Sequence, residues 1–123
     1  MREKKYNNLF HNGKKHHVYL CDYAVKDWAT FRKTHAQHPK GQLTQLMARL
    51  TKYADTGELL VPRHLNTEGD GYYAIKSNGG LRCYFWFEQS YMIVSHFFYK
   101  KTGNLPPQEK ERMDRNRKKY GGV

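Results

Sequence analysis

The chain has 123 residues, 38% of them hydrophobic, which is enough for one domain with one modest core, and ten Tyr, six Phe and two Trp supply large burial per residue. Twenty-two Lys and Arg against eleven Asp and Glu leave a net charge of +11, an excess that repels itself and calls for an anionic partner, nucleic acid first and an anionic membrane next. A membrane span is not expected, since no run approaches ~20 apolar residues; no basic amphipathic helix with an aromatic face stands out for a membrane surface, and "MREKKYNN" is not followed by the apolar segment of a signal peptide.

In chain order, residues 1–15 are polar and basic, with Asn7, Asn8, Asn12 and Gly13 as breakers, and predict a flexible basic arm. "HHVYLCD" (16–22) alternates, Val18 and Leu20 to one side and Tyr19 and Cys21 to the other, and predicts a first strand. Asp22 is placed to cap a helix over 23–36, on which Val25, Trp28, Phe31 and His35 recur at helical spacing before Pro39, Lys40 and Gly41 interrupt it. A second helix carries Leu43, Leu46, Met47, Leu50, Tyr53 and Ala54 on one stripe and stops at Gly57. The stretch 59–71 reads as a connection, because Pro62 keeps it from being a central strand.

Three strands follow. "YYAIKS" (72–77) runs into Asn78-Gly79-Gly80, a hairpin signal, and then "LRCYFWFE" (81–88) and "YMIVSHFFYK" (91–100) are joined by Gln89-Ser90. The last segment, 106–120, has helical composition but almost no apolar stripe beyond Met113 and Tyr120, so it is expected to pack loosely or to await a partner. The expected fold is α+β: a mostly antiparallel four-stranded sheet with two N-terminal helices on one face and a charged C-terminal helix, all within one domain over 16–120. There is no repeat, no low-complexity tract and no second domain. Cys21 and Cys83 lie in strand-like runs without a CxxC, as free buried cysteines do in a reducing cytoplasm.

If the apolar alternates of the strands face the helices, the opposite sheet face offers Lys76, Arg82, Tyr84 and Trp86. From the last strand it offers His96, Phe98 and Lys100, or else Ser95, Phe97 and Tyr99. A face of cations and rings suits RNA or single strands, cations holding phosphates while rings stack on bases. The same aromatics fit an alternative equally simple in sequence terms, a second small core under the C-terminal helix with Arg82 and Lys76 paired to acids. Cleavage of RNA by its own 2′-hydroxyl needs a base, an acid and cations around the phosphorane. His96 titrates nearest neutrality, at about 6.5 when free. The adjacent Lys100 and Lys101 supply mutual repulsion that lowers a lysine toward the range of a base. No cofactor is expected: the seven histidines form no HExxH or Cys/His cluster, and no phosphate-loop glycine motif or GxSxG occurs.

The segment 72–112 resembles the RelE/ParE toxin superfamily, in particular its HigB-like branch, common in phage and prokaryotic genomes. The residues that carry the likeness are Lys76, Arg82, His96, Phe98, Lys100-Lys101-Thr102, Pro106-Pro107 and the charged segment from Glu109 to Tyr120. Element order extends it over roughly 16–120. The resemblance implies a cytoplasmic toxin of a type II toxin–antitoxin system that cuts mRNA in the ribosomal A site without metal and is silenced by a cognate antitoxin protein. It assigns Lys76, Arg82, His96, Lys100, Lys101 and Tyr120 to the catalytic site. Tyr84, Trp86, Arg115, Arg117, Lys118 and Lys119 are the expected RNA contacts. Two other functions share the pattern: a non-enzymatic toxin or inhibitor acting on gyrase or another host machine, and a phage-encoded nucleic-acid-binding accessory protein.

Overall fold

The computed structural model describes residues 9–33, 40–59, 61, 63–99 and 107–120, apart from the side chains of Phe31, Arg32, Lys40 and Tyr120. Within them the order is β1 (Leu9–Asn12), β2 (His17–Leu20), α1 (Asp22–Lys33), α2 (Lys40–Thr56), β3 (Leu65–Gly69), β4 (Tyr72–Lys76), β5 (Leu81–Glu88), β6 (Tyr91–Tyr99) and α3 (Pro107–Tyr120). The class is α+β, as the patterning predicts. The sheet is larger than expected and mixed: six strands run β1-β2-β6-β5-β4-β3, with β2 parallel to β6 and every other pair antiparallel.

Both extra strands sit at the edges. β1 comes from the predicted arm, so residues 9–12 of that arm belong to the sheet and 13–15 form the turn after it, while residues 1–8 lie outside the described residues. The turn after β1 is fastened to α2, because Lys15 and His16 both donate backbone N–H bonds (2.9 Å each) to the Ala54 carbonyl near the end of that helix. Glycine at 13 follows from that closeness: a Cβ there would lie 2.5 Å from the Ala54 oxygen. β3 comes from the predicted connection over 59–71 and pairs only with β4. An edge strand needs no apolar partner on its outer side, which is why its sequence, "LNTEG", lacks a strand pattern.

The main core lies between the sheet and the first two helices. Val18, Leu20, Leu81, Cys83, Phe85, Met92, Val94 and Phe97 from the strands meet Ala24 of α1 and Leu46, Leu50 and Ala54 of α2. Cys21 and Cys83 are free and buried, and burial pushes the Cys21 thiol up to about 12. α2 stops where Gly57 turns left-handed (φ 73°) and its N–H reaches the Tyr53 carbonyl at 2.7 Å.

The opposite face is covered by α3. Tyr72, Ala74, Tyr84, Trp86 and Ile93 form a second core with Met113 of that helix. The loose packing expected of α3 is therefore corrected: polar contacts do what its missing apolar stripe cannot. Tyr72 donates its hydroxyl to Asp114 (2.5 Å), Arg112 donates to Asp27 of α1 (3.2 Å), Asn116 donates to the Ser95 carbonyl (3.1 Å) and Lys110 pairs with Asp70.

Candidate nucleic-acid interface

The alternation in β6 changes phase once. Tyr84 pairs with His96 but Phe85 pairs with Val94, so Ser95 is an extra residue, a β-bulge. The bulge turns Ser95 and His96 to the same side, under α3, and decides between the two side-chain sets that the sequence left open: His96 and Phe98 share the face of Tyr84. Asn116 of α3 donates to Ser95 Oγ at 2.8 Å, and Ser95 Oγ lies 2.9 Å from His96 Nδ1. His96 Nε2 is 2.8 Å from Glu109 Oε1, a hydrogen-bond length approached off-line, so the attraction is that of an anionic carboxylate for an imidazole N–H. Burial lowers the His96 pKa despite the carboxylate, and the bond from His96, with Arg112 beside it, lowers that of Glu109. The consistent state is a neutral imidazole that accepts from Ser95 and presents its Nε2 proton to an ionised Glu109.

These facts correct part of the expected site. His96 is 0% exposed and its ring nitrogens are engaged inside the protein, so it reaches no substrate in this arrangement. Tyr84 and Trp86 are likewise 0% exposed and cannot stack on bases; the alternative of a second core under the C-terminal helix describes them. Arg117 is drawn inward, donating to the Asp70 carbonyl (3.1 Å) with its guanidinium over the Tyr72 ring. Arg115, Lys118 and Lys119 stay exposed on α3. Lys100, Lys101 and the side chain of Tyr120 lie outside the described residues.

What remains accessible on this face is the next row of the sheet. Lys76, Arg82 and Phe98 stand side by side on β4, β5 and β6 through the pairs Lys76–Arg82 and Arg82–Phe98, and all three are half-buried. The row is held by features that the sequence reading did not single out. On α2, Gln42, Gln45 and Arg49 have i, i+3, i+7 spacing and grip the β4–β5 hairpin. Gln42 Oε1 accepts from Ser77 Oγ (2.9 Å) and Leu81 N (3.1 Å), and Gln45 Oε1 accepts from Asn78 N (2.6 Å). Arg49 donates to the Lys76 carbonyl (2.6 Å) and to Asn78 Oδ1 (2.9 Å). The only available signal was polar residues at helical spacing beside an apolar stripe. Glycine at 79 is required by this grip, since a Cβ would lie 2.2 Å from Gln42 Oε1.

Arg82 Nη1 donates to the carbonyls of Gly79 (2.9 Å) and Leu81 (3.1 Å), so its guanidinium is folded toward the hairpin and fixed there. Burial lowers its pKa, opposed by Tyr84 and Glu68, and a guanidinium so perturbed is still a cation. Glu68 of β3 is held by Asn66 (3.0 Å) and its charge acts on Arg82. Among the described residues, no three His, Cys, Asp or Glu come together as a metal-binding group, and no helix is long and apolar enough to cross a membrane.

The chain is thus an α+β protein whose mixed sheet carries a basic, part-exposed row beside a helix-covered aromatic core. Comparison with protein-family models gives no match, and comparison with curated proteins gives none either.

Proposed function

We propose that the protein is the toxin of a type II toxin–antitoxin system, an endoribonuclease that cleaves mRNA on the ribosome without a metal cofactor. The observation that supports it is the part-exposed row Lys76–Arg82–Phe98: two cations and a ring set side by side by the strand register, with Lys100 two residues beyond Phe98 in the chain. A phosphate seated on the row meets both cations, and Phe98 offers a surface to an adjacent base. The ribose 2′-oxygen attacks phosphorus, its proton passes to a base, and the departing 5′-oxygen takes a proton, leaving a cyclic phosphate. Lys76 and Arg82 stabilise the negative charge that builds on the phosphorane. Proton transfer falls to the lysine pair Lys100–Lys101 and to Tyr120, with His96 reassigned to holding α3. A cognate antitoxin protein is the partner such a toxin requires.

The test is cleavage of mRNA by the purified protein on translating ribosomes. Arg82→Ala is expected to slow it by about 10²-fold or more, the usual consequence of removing a group that stabilises transition-state charge. Normal cutting by a folded Arg82→Ala variant would overturn the assignment. A second reading, a nucleic-acid-binding accessory protein without catalysis, is favoured by one observation: the imidazole best suited to proton transfer is buried. Salt-dependent RNA binding with intact mRNA and no growth arrest would select it.

A further inference from the structure

The basic side chains are not spread evenly. Arg49 and Lys52 lie one helical turn apart on α2, and the loop into β3 brings Arg63 and His64 against them. The link is made through the Lys76 backbone: Lys76 N donates to the His64 carbonyl (2.8 Å), and Arg49 Nη1 donates to the Lys76 carbonyl (2.6 Å). The cluster therefore continues outward from the Lys76 end of the open row.

It is a concentration of like charge. Besides burial, the groups lowering the His64 pKa are Arg49, Arg63, Lys52 and Lys76, and Arg63 also acts on Arg49. The charges that act most strongly on both, among the described residues, are basic. Among the described residues, the ion pairs formed elsewhere do not engage Arg49, Lys52 or Arg63. Lys52 and Arg63 are exposed, and Arg49 uses two of its five N–H donors on the hairpin, which fixes the guanidinium and leaves donors for a ligand. Arg49, Lys52 and Arg63, crowded together outside these ion pairs, are an arrangement that a polyanion relieves.

We propose that Arg49, Lys52 and Arg63 form a phosphate clamp that grips single-stranded RNA flanking the segment on Lys76 and Arg82. The inference rests on the reading above for the identity of the polymer. The ligand is a chain rather than a single anion, because the cations come from α2 and from the loop before β3 and run on into the Lys76–Arg82 row. His64 reports on occupancy. It is faced by Arg49 and Lys52 of α2, Lys76 of β4 and its neighbour Arg63, so bound phosphates offset their repulsion and make the ring easier to protonate.

The experiment measures binding of a 2′-O-methylated oligoribonucleotide, which cannot be cut, as a function of salt. For the Lys52→Ala, Arg63→Ala double variant, the slope of log K against log salt is expected to fall by about 1.4, two contacts at roughly 0.7 each for a single strand. The Lys14→Ala, Lys26→Ala variant loses the same charge from exposed positions elsewhere and is expected to keep the parental slope. The His64 ring resonance, assigned with His64→Gln, should titrate at higher pH with the oligonucleotide bound. An unchanged slope in the first variant, an equal fall in the second, or a His64 titration that does not move would overturn the clamp. Because the probe is uncleavable, the two readings fail separately. Loss of mRNA cleavage with a slope that depends on Lys52 and Arg63 removes the nuclease alone, and intact cleavage with an unchanged slope removes the clamp alone.

Discussion

The chain Asn116–Ser95–His96–Glu109 shows how one residue's surroundings redirect its chemistry. A free imidazole titrates near neutrality, but burial holds His96 neutral, and its neighbours use it as a connector between β6 and α3. The consequence for pH follows from the sign of the shift. With the folded pKa below the unfolded value of about 6.5, the unfolded chain binds the proton first, so stability is lost as pH falls below about 6.5. Glu109, also lowered, adds a loss at more acid pH, whereas Asp27, raised by burial, works in the opposite direction. The melting temperature is expected to fall between pH 7 and pH 5.5, and His96→Gln, lower-melting at pH 7, should flatten that fall. A parental profile that is level over this range would refute the assignment. Tyr84 gives a sharper test. Its buried hydroxyl has no hydrogen-bond partner among the described residues, so Tyr84→Phe removes a desolvated polar group and should leave stability equal or raise it by up to about 1 kcal/mol in a denaturant titration. If Tyr84 stacked on RNA through an exposed ring, the same variant would keep binding while Tyr84→Ala abolished it without unfolding; the buried ring predicts that Tyr84→Ala unfolds first.

At the scale of elements, α3 and the β4–β5 hairpin are held in contrasting ways. Among the described side chains of α3, Met113 is the fully buried apolar one, set among polar contacts, so Met113→Ala concentrates its loss at a single point and is expected to cost about 2–5 kcal/mol by denaturant titration. The hairpin depends on Gln42, whose one oxygen receives two donors. Gln42→Leu leaves Ser77 Oγ and Leu81 N–H without it and should cost about 1–3 kcal/mol while lowering RNA affinity through a displaced Lys76–Arg82 row. Unaltered stability and affinity in that variant would remove its positioning role. These elements also mark what the sequence makes legible. The stripe of α2, the alternation of β5 and the hairpin at Asn78-Gly79-Gly80 are readable because burial on one face imposes a period. β1 and β3 are not, since each is paired on one side only, and "LFHN" and "LNTEG" carry too little apolar patterning to distinguish an edge from a loop. The bulge at Ser95 is silent as well: a strand buried on both faces, as β6 is from Met92 to Phe97, hides the change of phase. The aromatic face looked open and His96 looked catalytic because α3 lacks the apolar stripe that would reveal its cover, while Lys76 and Arg82 were legible because they break the apolar pattern.

Across the whole molecule the dominant fact is the charge of +11, carried by 22 basic against 11 acidic residues. Some of it is compensated locally, as where Lys110 meets Asp70, and such an exposed pair contributes little. The rest is repulsion in the folded state, and salt acts on both. Raising ionic strength shortens the screening distance from about 10 Å at 0.1 M to about 3 Å at 1 M, weakening pairs and repulsions together. Since like-charge interactions outnumber favourable ones in so unbalanced a chain, the net effect should be stabilising, with a melting temperature that rises on adding sodium chloride. A linear polyanion offers more than screening, because fixed, clustered cations bind it more tightly than the dispersed charges of the unfolded chain do, so stabilisation grows with its concentration by mass action. At matched ionic strength, an uncleavable oligoribonucleotide should therefore raise the melting temperature further than salt does, and the increment should shrink in the Lys52→Ala, Arg63→Ala variant. A melting temperature that falls with salt would mean that the ion pairs outweigh the repulsion. An oligonucleotide no better than salt would mean that the excess charge is diffuse, with no surface on which the cations act together.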